Sequence, residues 1–563
     1  MREQDVTGVT PSNLSERSTR RQFVVGAGAF AALLALPGGL AACGGGAAGG
    51  GDGADLTNLQ WGVPSGLETI SPNAFTPVGV TATALGLEAL LQVDARGELR
   101  PWLADRFENR GNREFVLRLR EGVRWSDGSP LTIEDVLFQF EYNLTERAQP
   151  MFGFLDGFGL SVTQTGPREV TVSTDRPNPR IPGIILASQF TWLVQPAFLE
   201  EYGYDRMGSP AALPIGTGPY VFEEFVPDSS LTVRRNEHYW AWDRLGLVPE
   251  RITMKIYEES ATMQLAARTG EISGSHMVEP DELPRYRGIS GYSTYAVPDQ
   301  ACWFLTVNTQ AAPFDDVHFR RALAYSVDRE GIAEAVWDGN AEPAATLVPP
   351  DGWRGLLSED ELEQLYASIP TYDFDLGRAA AELRESSHPD GFTLTITTSS
   401  ARPKQARVCQ IVARDLAKIG VTLNVRTVSE NQFFEPIFRN DPNDLDHLIS
   451  INSSTNLETL DALPPLDDYL AARNARSGGT NFSLWKDARV ERLLRAQALT
   501  TDRAERARLL QQIVRVAAEE VPYVPIVWPQ IGAVAGPGLD YEGFNPFIFL
   551  NGRAWPVGLK AAR

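Results

Sequence analysis

Three cysteines and five histidines are the side chains best suited to metal binding or nucleophilic chemistry, and their spacing supports neither. Cys43, Cys302 and Cys409 form no CxxC pair, so no zinc ribbon and no dithiol redox site is written. His238, His276, His318, His388 and His447 are scattered. HExxH, GxSxG and GxxxxGK[ST] are all missing from the chain. The paired carboxylates Glu223-Glu224 and Asp315-Asp316 could share a proton, but such pairs more often cap helices or face water. Asp315, just ahead of Val317 and Phe319, reads as a helix cap. Gly216-Thr217-Gly218 looks like a phosphate cradle until Pro219 removes an amide donor and a strand, not a helix, follows. His238 reads as packed near Tyr239 and Trp240 rather than as a metal ligand. The pattern favours binding over catalysis, with no cofactor and no metal expected.

Charge narrows the partners. The net charge is −21 and the pI about 4.8, which argues against nucleic acid, whose phosphates need clustered Lys and Arg. At 563 residues the chain has ample length for a large core and, at about 150 residues per domain, three or four lobes.

The first fifty residues read as an address. Arg20-Arg21 precede an apolar run, Phe23 to Leu36, too short to span a membrane as a helix. A charged start, short apolar middle and small-residue end make a secretory leader, and the paired Arg resembles the twin-arginine class. Leu40-Ala41-Ala42-Cys43-Gly44 resembles a bacterial lipoprotein cleavage box. By that resemblance residues 1–42 are a signal peptide and Cys43 is lipidated, anchoring the chain to the outer side of a cell membrane. Residues 43–54, nearly all Gly and Ala, form a flexible tether. Gly26-Ala27-Gly28-Ala29-Phe30-Ala31 approximates a dinucleotide fingerprint, but it lies in the leader with no strand before it.

The rest alternates strands and helices. Phe115, Leu117 and Leu119 have the period of a half-buried strand. Ser126-Asp127-Gly128 supplies a turn, and Thr132 with Asp135 caps a helix carrying Ile133, Val136, Leu137 and Phe140 on one face. Tyr220–Phe222 and Leu231–Val233 flank a hairpin turn. The strand around Phe392–Ile396, the helical stripe Val408, Ile411, Val412, Leu416, Ile419 and the strand Val421–Val425 read as a βαβ unit, hence a parallel or mixed sheet. A long helix runs from about Ala504 to Glu520. The class is α/β.

These blocks carry a family resemblance. Gly86-Leu87-Glu88-Ala89-Leu90-Leu91, Pro101-Trp102-Leu103-Ala104 and the run Leu117 to Thr132, with Trp125-Ser126-Asp127-Gly128 inside it, resemble the hallmark of bacterial family 5 extracellular solute-binding proteins. Gly216 to Tyr220, Arg235 to Trp240, Asn308, Pro313 to Val317, Arg320 to Leu323, Asp328-Arg329 and Val521 to Pro525 follow in the family's order. The resemblance implies a two-lobed periplasmic-binding-protein fold (class II) closing about a hinge, with an extra subdomain on the first lobe. The first lobe would comprise 55–84, 196–307 and 530–563, the extra subdomain 85–195 and the second lobe 308–529. It also implies a monomer that captures a solute, a peptide or peptide-like compound first of all, and delivers it to the permease subunits of an ABC importer.

Cleft contacts carried over by the resemblance fall on Phe75 and Thr76, on Trp303 and Phe304 with Trp528 opposite, and on Asn452, Ser453, Thr455 and Asn456. Thr455 stands where the oligopeptide branch has an Asp for the peptide's ammonium, leaving Glu458 or Asp461 to reach in. The expectation is therefore a ligand other than an ordinary free-amine peptide. With Cys302 and Cys409 assigned to different lobes, a disulfide would oppose opening, so free thiols are expected. Oligosaccharides, opines and metal chelates remain open as ligands. A non-transport sensor or chaperone on the same fold, and an extracellular hydrolase, stand behind the importer reading.

Overall fold

A computed structural model describes residues 57–64, 66–72, 76–144, 158–244, 249–439, 448–455, 461–549 and 555–562. The leader, Cys43, Phe75, Asn456 and Glu458 lie outside them. Among the described residues no helix is long and apolar enough to cross a membrane.

The hallmark block folds into a four-stranded antiparallel sheet, Ala104–Arg110, Glu114–Leu119, Glu169–Ser173 and Ser161–Gly166. Helix Ile133–Asn143 is set by the expected capping box between Thr132 and Asp135. The Trp125 indole N–H donates to Asp135, tying the turn to the cap. Gly128 takes φ +90, which a side chain would resist. Phe115, Leu117, Val136 and Phe140 share one buried cluster.

Among the described residues the main sheet is twelve-stranded and in two halves. In the first, Asn58–Pro64 runs parallel to Arg251–Tyr257, followed by the antiparallel strands Ser230–Arg235 and Tyr220–Val226. In the second, Thr393–Ser399 and Thr422–Val428 run parallel, joined by helix Pro403–Ala417, so the βαβ reading holds. Helix Arg503–Glu520 matches the expected long helix. Two chain crossings join the halves. The 13-residue strand Tyr523–Ala535 pairs through Tyr523–Val527 with Ala301–Val307, and through Gln530–Ala535 with Ser293–Pro298. The other crossing is the short step between Pro298 and Ala301.

That step moves the first lobe's end. Ala301–Val307 pairs with Leu448–Thr455 and belongs to the second half, ahead of the boundary expected at 307. Cys302 and Cys409 therefore sit in the same half, not in different lobes. Both thiols are free and buried, and they pack in clusters on opposite faces of the sheet.

Glycine and a buried carboxylate join the small sheet to the first half. A Cβ on Gly218 would lie 2.6 Å from the Gly86 carbonyl carbon, so the Gly216-Thr217-Gly218 segment is a close backbone approach. Thr217 donates to Glu88 at 2.8 Å, as do Trp102 (2.6 Å), Tyr239 (3.0 Å) and Trp240 (3.4 Å). Burial pushes the Glu88 carboxyl up to about 7, against the pull of those four donors. His238 is exposed, with its ring beside Gly128. The helix cap expected at Asp315 is Asp316, whose carboxylate accepts from the His318 N–H at 2.8 Å.

Candidate functional site

The halves are joined at the pair of crossings, and they also touch on either side of it. On one side helix Leu463–Leu470 presents Asp467 and Asp468 to Arg180, at the start of the short helix Ile181–Ile184. The Arg180 guanidinium donates to Asp467 at 3.1 Å and to Asp468 at 2.7 and 3.2 Å. The Arg180 and Asp467 side chains are each only 10% exposed. Arg473 also pairs with Asp467. Nearby, the Asn112 side-chain amide donates to the carbonyls of Ala498 and Thr500, both at 3.2 Å.

On the other side Lys404, in the first turn of helix Pro403–Ala417, bridges back to Glu279 at 2.7 Å and Asp281 at 3.2 Å. Burial alone would lower the Lys404 pKa, but the two carboxylates hold it above its ordinary value. These contacts can form only while the halves are together, so they describe a latched arrangement.

The residues carried over by resemblance fall in different environments. Thr76 is exposed and caps helix Pro77–Thr83, accepting from the Gly79 N–H and donating to the Gly66 carbonyl. Trp303 is half-buried and edge-on to Trp337 at 5.0 Å. Phe304 is fully buried between Tyr469 and Tyr523, each 5.2 Å away. Trp528 is buried and donates to the Thr346 carbonyl. In this state Phe304 and Trp528 are core side chains of the second half. Backbone pairing sets Asn452, Ser453 and Thr455 opposite Phe304, Trp303 and Ala301. Asp461 is not free to serve a ligand ammonium, because Arg506 holds it through two contacts of 2.5 and 2.8 Å.

The contacts that join the halves were not among the expected residues. Arg180 sits in Pro177-Asn178-Pro179-Arg180, which reads locally as an ordinary loop, and nothing in it signals a partner 287 residues away. A separate cavity of about 160 Å³ lies within the second half, lined by Arg329, Thr346, Tyr372, Leu466 and Pro525 among others. Arg329 is spent there on backbone, donating to the carbonyls of Ala324, Tyr372 and Pro525. Among the described residues no group of His, Cys, Asp and Glu is arranged to hold a metal.

Comparison with known proteins agrees with this architecture. The oligopeptide-binding protein OppA of Bacillus subtilis is 22% identical over 465 residues, 78% of this chain and 81% of that one. Heme-binding protein A of Haemophilus influenzae is 24% identical over 459 residues, 76% and 79% of the two chains. The structure of the periplasmic binding protein DppA of Helicobacter pylori, in complex with the peptide STSA, superposes with a TM-score of 0.73 at 19% identity, covering 90% of this chain and 98% of that one. Residues 98–475 match the profile of bacterial extracellular solute-binding proteins, family 5. With two halves hinged on two crossings and the family's signature over most of its length, the chain belongs to the bacterial extracellular solute-binding proteins of family 5.

Proposed function

We propose that this protein is the lipid-anchored receptor of an ABC importer, enclosing a peptide or peptide-like solute between its halves and presenting it to the permease. Membership of the family makes it a solute-binding protein and not an enzyme. The observation that carries the receptor reading is the pair of crossings at 298–301 and 527–530, spanned on both sides by ion pairs that only a closed arrangement allows. A solute shifts such an equilibrium only if it binds the closed form better than the open one. The peptide-like class is supported by relatives that bind oligopeptides, dipeptides and glutathione. The leader with its paired Arg, lipidation of Cys43, a monomeric state and cleft contacts at Phe75, Thr76, Trp303 and 452–456 are parts of the same reading.

Native mass spectrometry of the chain beginning after Gly53, gently purified and then compared with a denatured and refolded sample, tests it. An extra mass lost on denaturation supports the receptor reading and names the ligand class. A bare protein that also shows no thermal shift with peptides, oligosaccharides or chelates counts against it, since ligand at about 100 times its Kd should add about 2.7 kcal/mol.

A further inference from the structure

The cavity within the second half has a cation in its wall. Its volume is about 160 Å³, and every lining residue falls between Ala324 and Pro525, so both faces of it belong to one half. Leu466 and Leu470, on the helix that carries Asp467 and Asp468, line it together with Leu347 and Val514. Thr371 and Asp373 also line it and are exposed, so the 370–373 segment forms its open rim.

Arg329 is half-buried in that lining. Its Nε and Nη1 take the backbone carbonyls of Ala324, Val327, Tyr372 and Pro525. Nη2 carries two more N–H groups, donates to nothing among the described residues and is not sealed from solvent. No carboxylate lies within 4.0 Å of the guanidinium among those residues. Carbonyl dipoles satisfy N–H groups without supplying a charge, so the cation stays uncompensated in an apolar wall, which is costly. Burial lowers the Arg329 pKa to about 10 against the pull of Asp373, which leaves it charged at neutral pH. Asp373 itself keeps its water at the rim.

We propose that this cavity is a second ligand site, taking a short-chain aliphatic carboxylate whose oxygens meet Nη2 of Arg329 and whose tail packs on Leu347, Leu466, Leu470 and Val514. The site is additional to the cleft and stands whatever solute the cleft takes. Charge decides the head, since an anion makes a charge-assisted bond there, an ammonium meets like charge and a neutral amide leaves the cation uncompensated. Volume decides the tail, because an apolar cavity of about 150 Å³ holds a molecule the size of benzene. A carboxylate of about four to six carbons matches that space.

Isovalerate is the probe, isovaleramide its uncharged isostere, and saturation-transfer NMR the readout, with sodium chloride balancing ionic strength. The variant is Ala517→Leu, which adds a branched tail like that of the probe to a residue lining the cavity, on a helix that favours leucine. Expected are isovalerate binding with a Kd on the order of 1 mM or tighter, and binding of the amide at least about tenfold weaker. Ala517→Leu should weaken isovalerate at least about tenfold, with a ligand-free Tm equal to wild type or higher, since the added tail fills apolar space. No binding of isovalerate by wild type at about 20 mM overturns the site. Acid and amide binding alike overturns the part given to Arg329 and the carboxylate class with it. Wild type and Ala517→Leu binding equally places the acid elsewhere and overturns the assignment. A variant that does not fold shows that the space cannot take such a tail, and overturns it too.

Discussion

Replacing Arg180 by alanine removes one guanidinium and leaves two carboxylates behind, but not equally. Asp467 keeps Arg473, whereas Asp468 loses the cation that Arg180 supplied. Asp468 is a third exposed and can regain water once the halves part. The loss is therefore of closed-state stabilisation rather than of fold. A charge-assisted pair in this setting is worth about 2 kcal/mol, which moves the closed-to-open ratio about 30-fold. Lys404 makes the useful contrast. Its partners Glu279 and Asp281 are 66% and 29% exposed, against 10% and 33% for those of Arg180, so these more solvated bridges are worth about 0.2–1 kcal/mol, a shift of about fivefold at most. The Arg180 contact should dominate. Single-molecule energy transfer between one dye on each half reads the ratio directly. Arg180→Ala should move the ligand-free population to the longer distance, with Lys404→Ala changing it little. A double-mutant cycle with Asp468→Ala should return a coupling of about 1–2 kcal/mol. Equal effects of the two single variants, or an Arg180→Ala distribution identical to wild type, would refute the ranking of the latches.

Other consequences are as open to measurement. Glu88, with its carboxyl raised to about 7 by burial, binds its proton more tightly folded than unfolded. Its contribution is full below about pH 4.5 and is lost as pH rises through about 7, on the order of 3 kcal/mol; Glu88→Gln should flatten that part of a Tm-against-pH curve. His276 has the opposite slope. Buried and stacked on Trp555, with its Nδ1 accepting from the Trp61 indole at 2.7 Å, it is lowered to about 3 by burial. Its contribution is present above about pH 6.5 and lost on acidification towards 3, so His276→Phe should reduce the acid loss of Tm. Gly218→Ala sets a Cβ against the Gly86 backbone and should cost about 2 kcal/mol or more in a denaturant titration.

What was legible in the chain is what local periodicity and spacing encode. The capping box at Thr132, the hairpin from Tyr220 to Arg235 and the parallel pair around helix Pro403–Ala417 all form as read, because each is fixed by neighbours within a few tens of residues. The misplacements are equally local. Asp315 and Asp316 are both competent caps, and only the turn geometry selects the second. Cys302 was set with the first lobe by bounds carried over from the family resemblance, which do not say where this strand leaves one half of the sheet for the other. The deciding fact is the pairing of Ala301 with Thr455, 154 residues on.

The cleft resists reading for a related reason. Large aromatic residues at a hinge suggest a wall for ligand, yet Phe304 sits among Tyr469 and Tyr523, and Trp528 spends its N–H on Thr346. A crossing strand needs a packed face to carry load between halves, and aromatic side chains serve that need as well as they serve a ligand. The groups that distinguish a binding surface are polar ones left unpaired in the empty protein, and pairing is a property of the whole fold. Asp461 looks available in sequence and is taken by Arg506. Residue type proposes candidates for such a site, and the hydrogen-bond ledger of the folded chain decides among them.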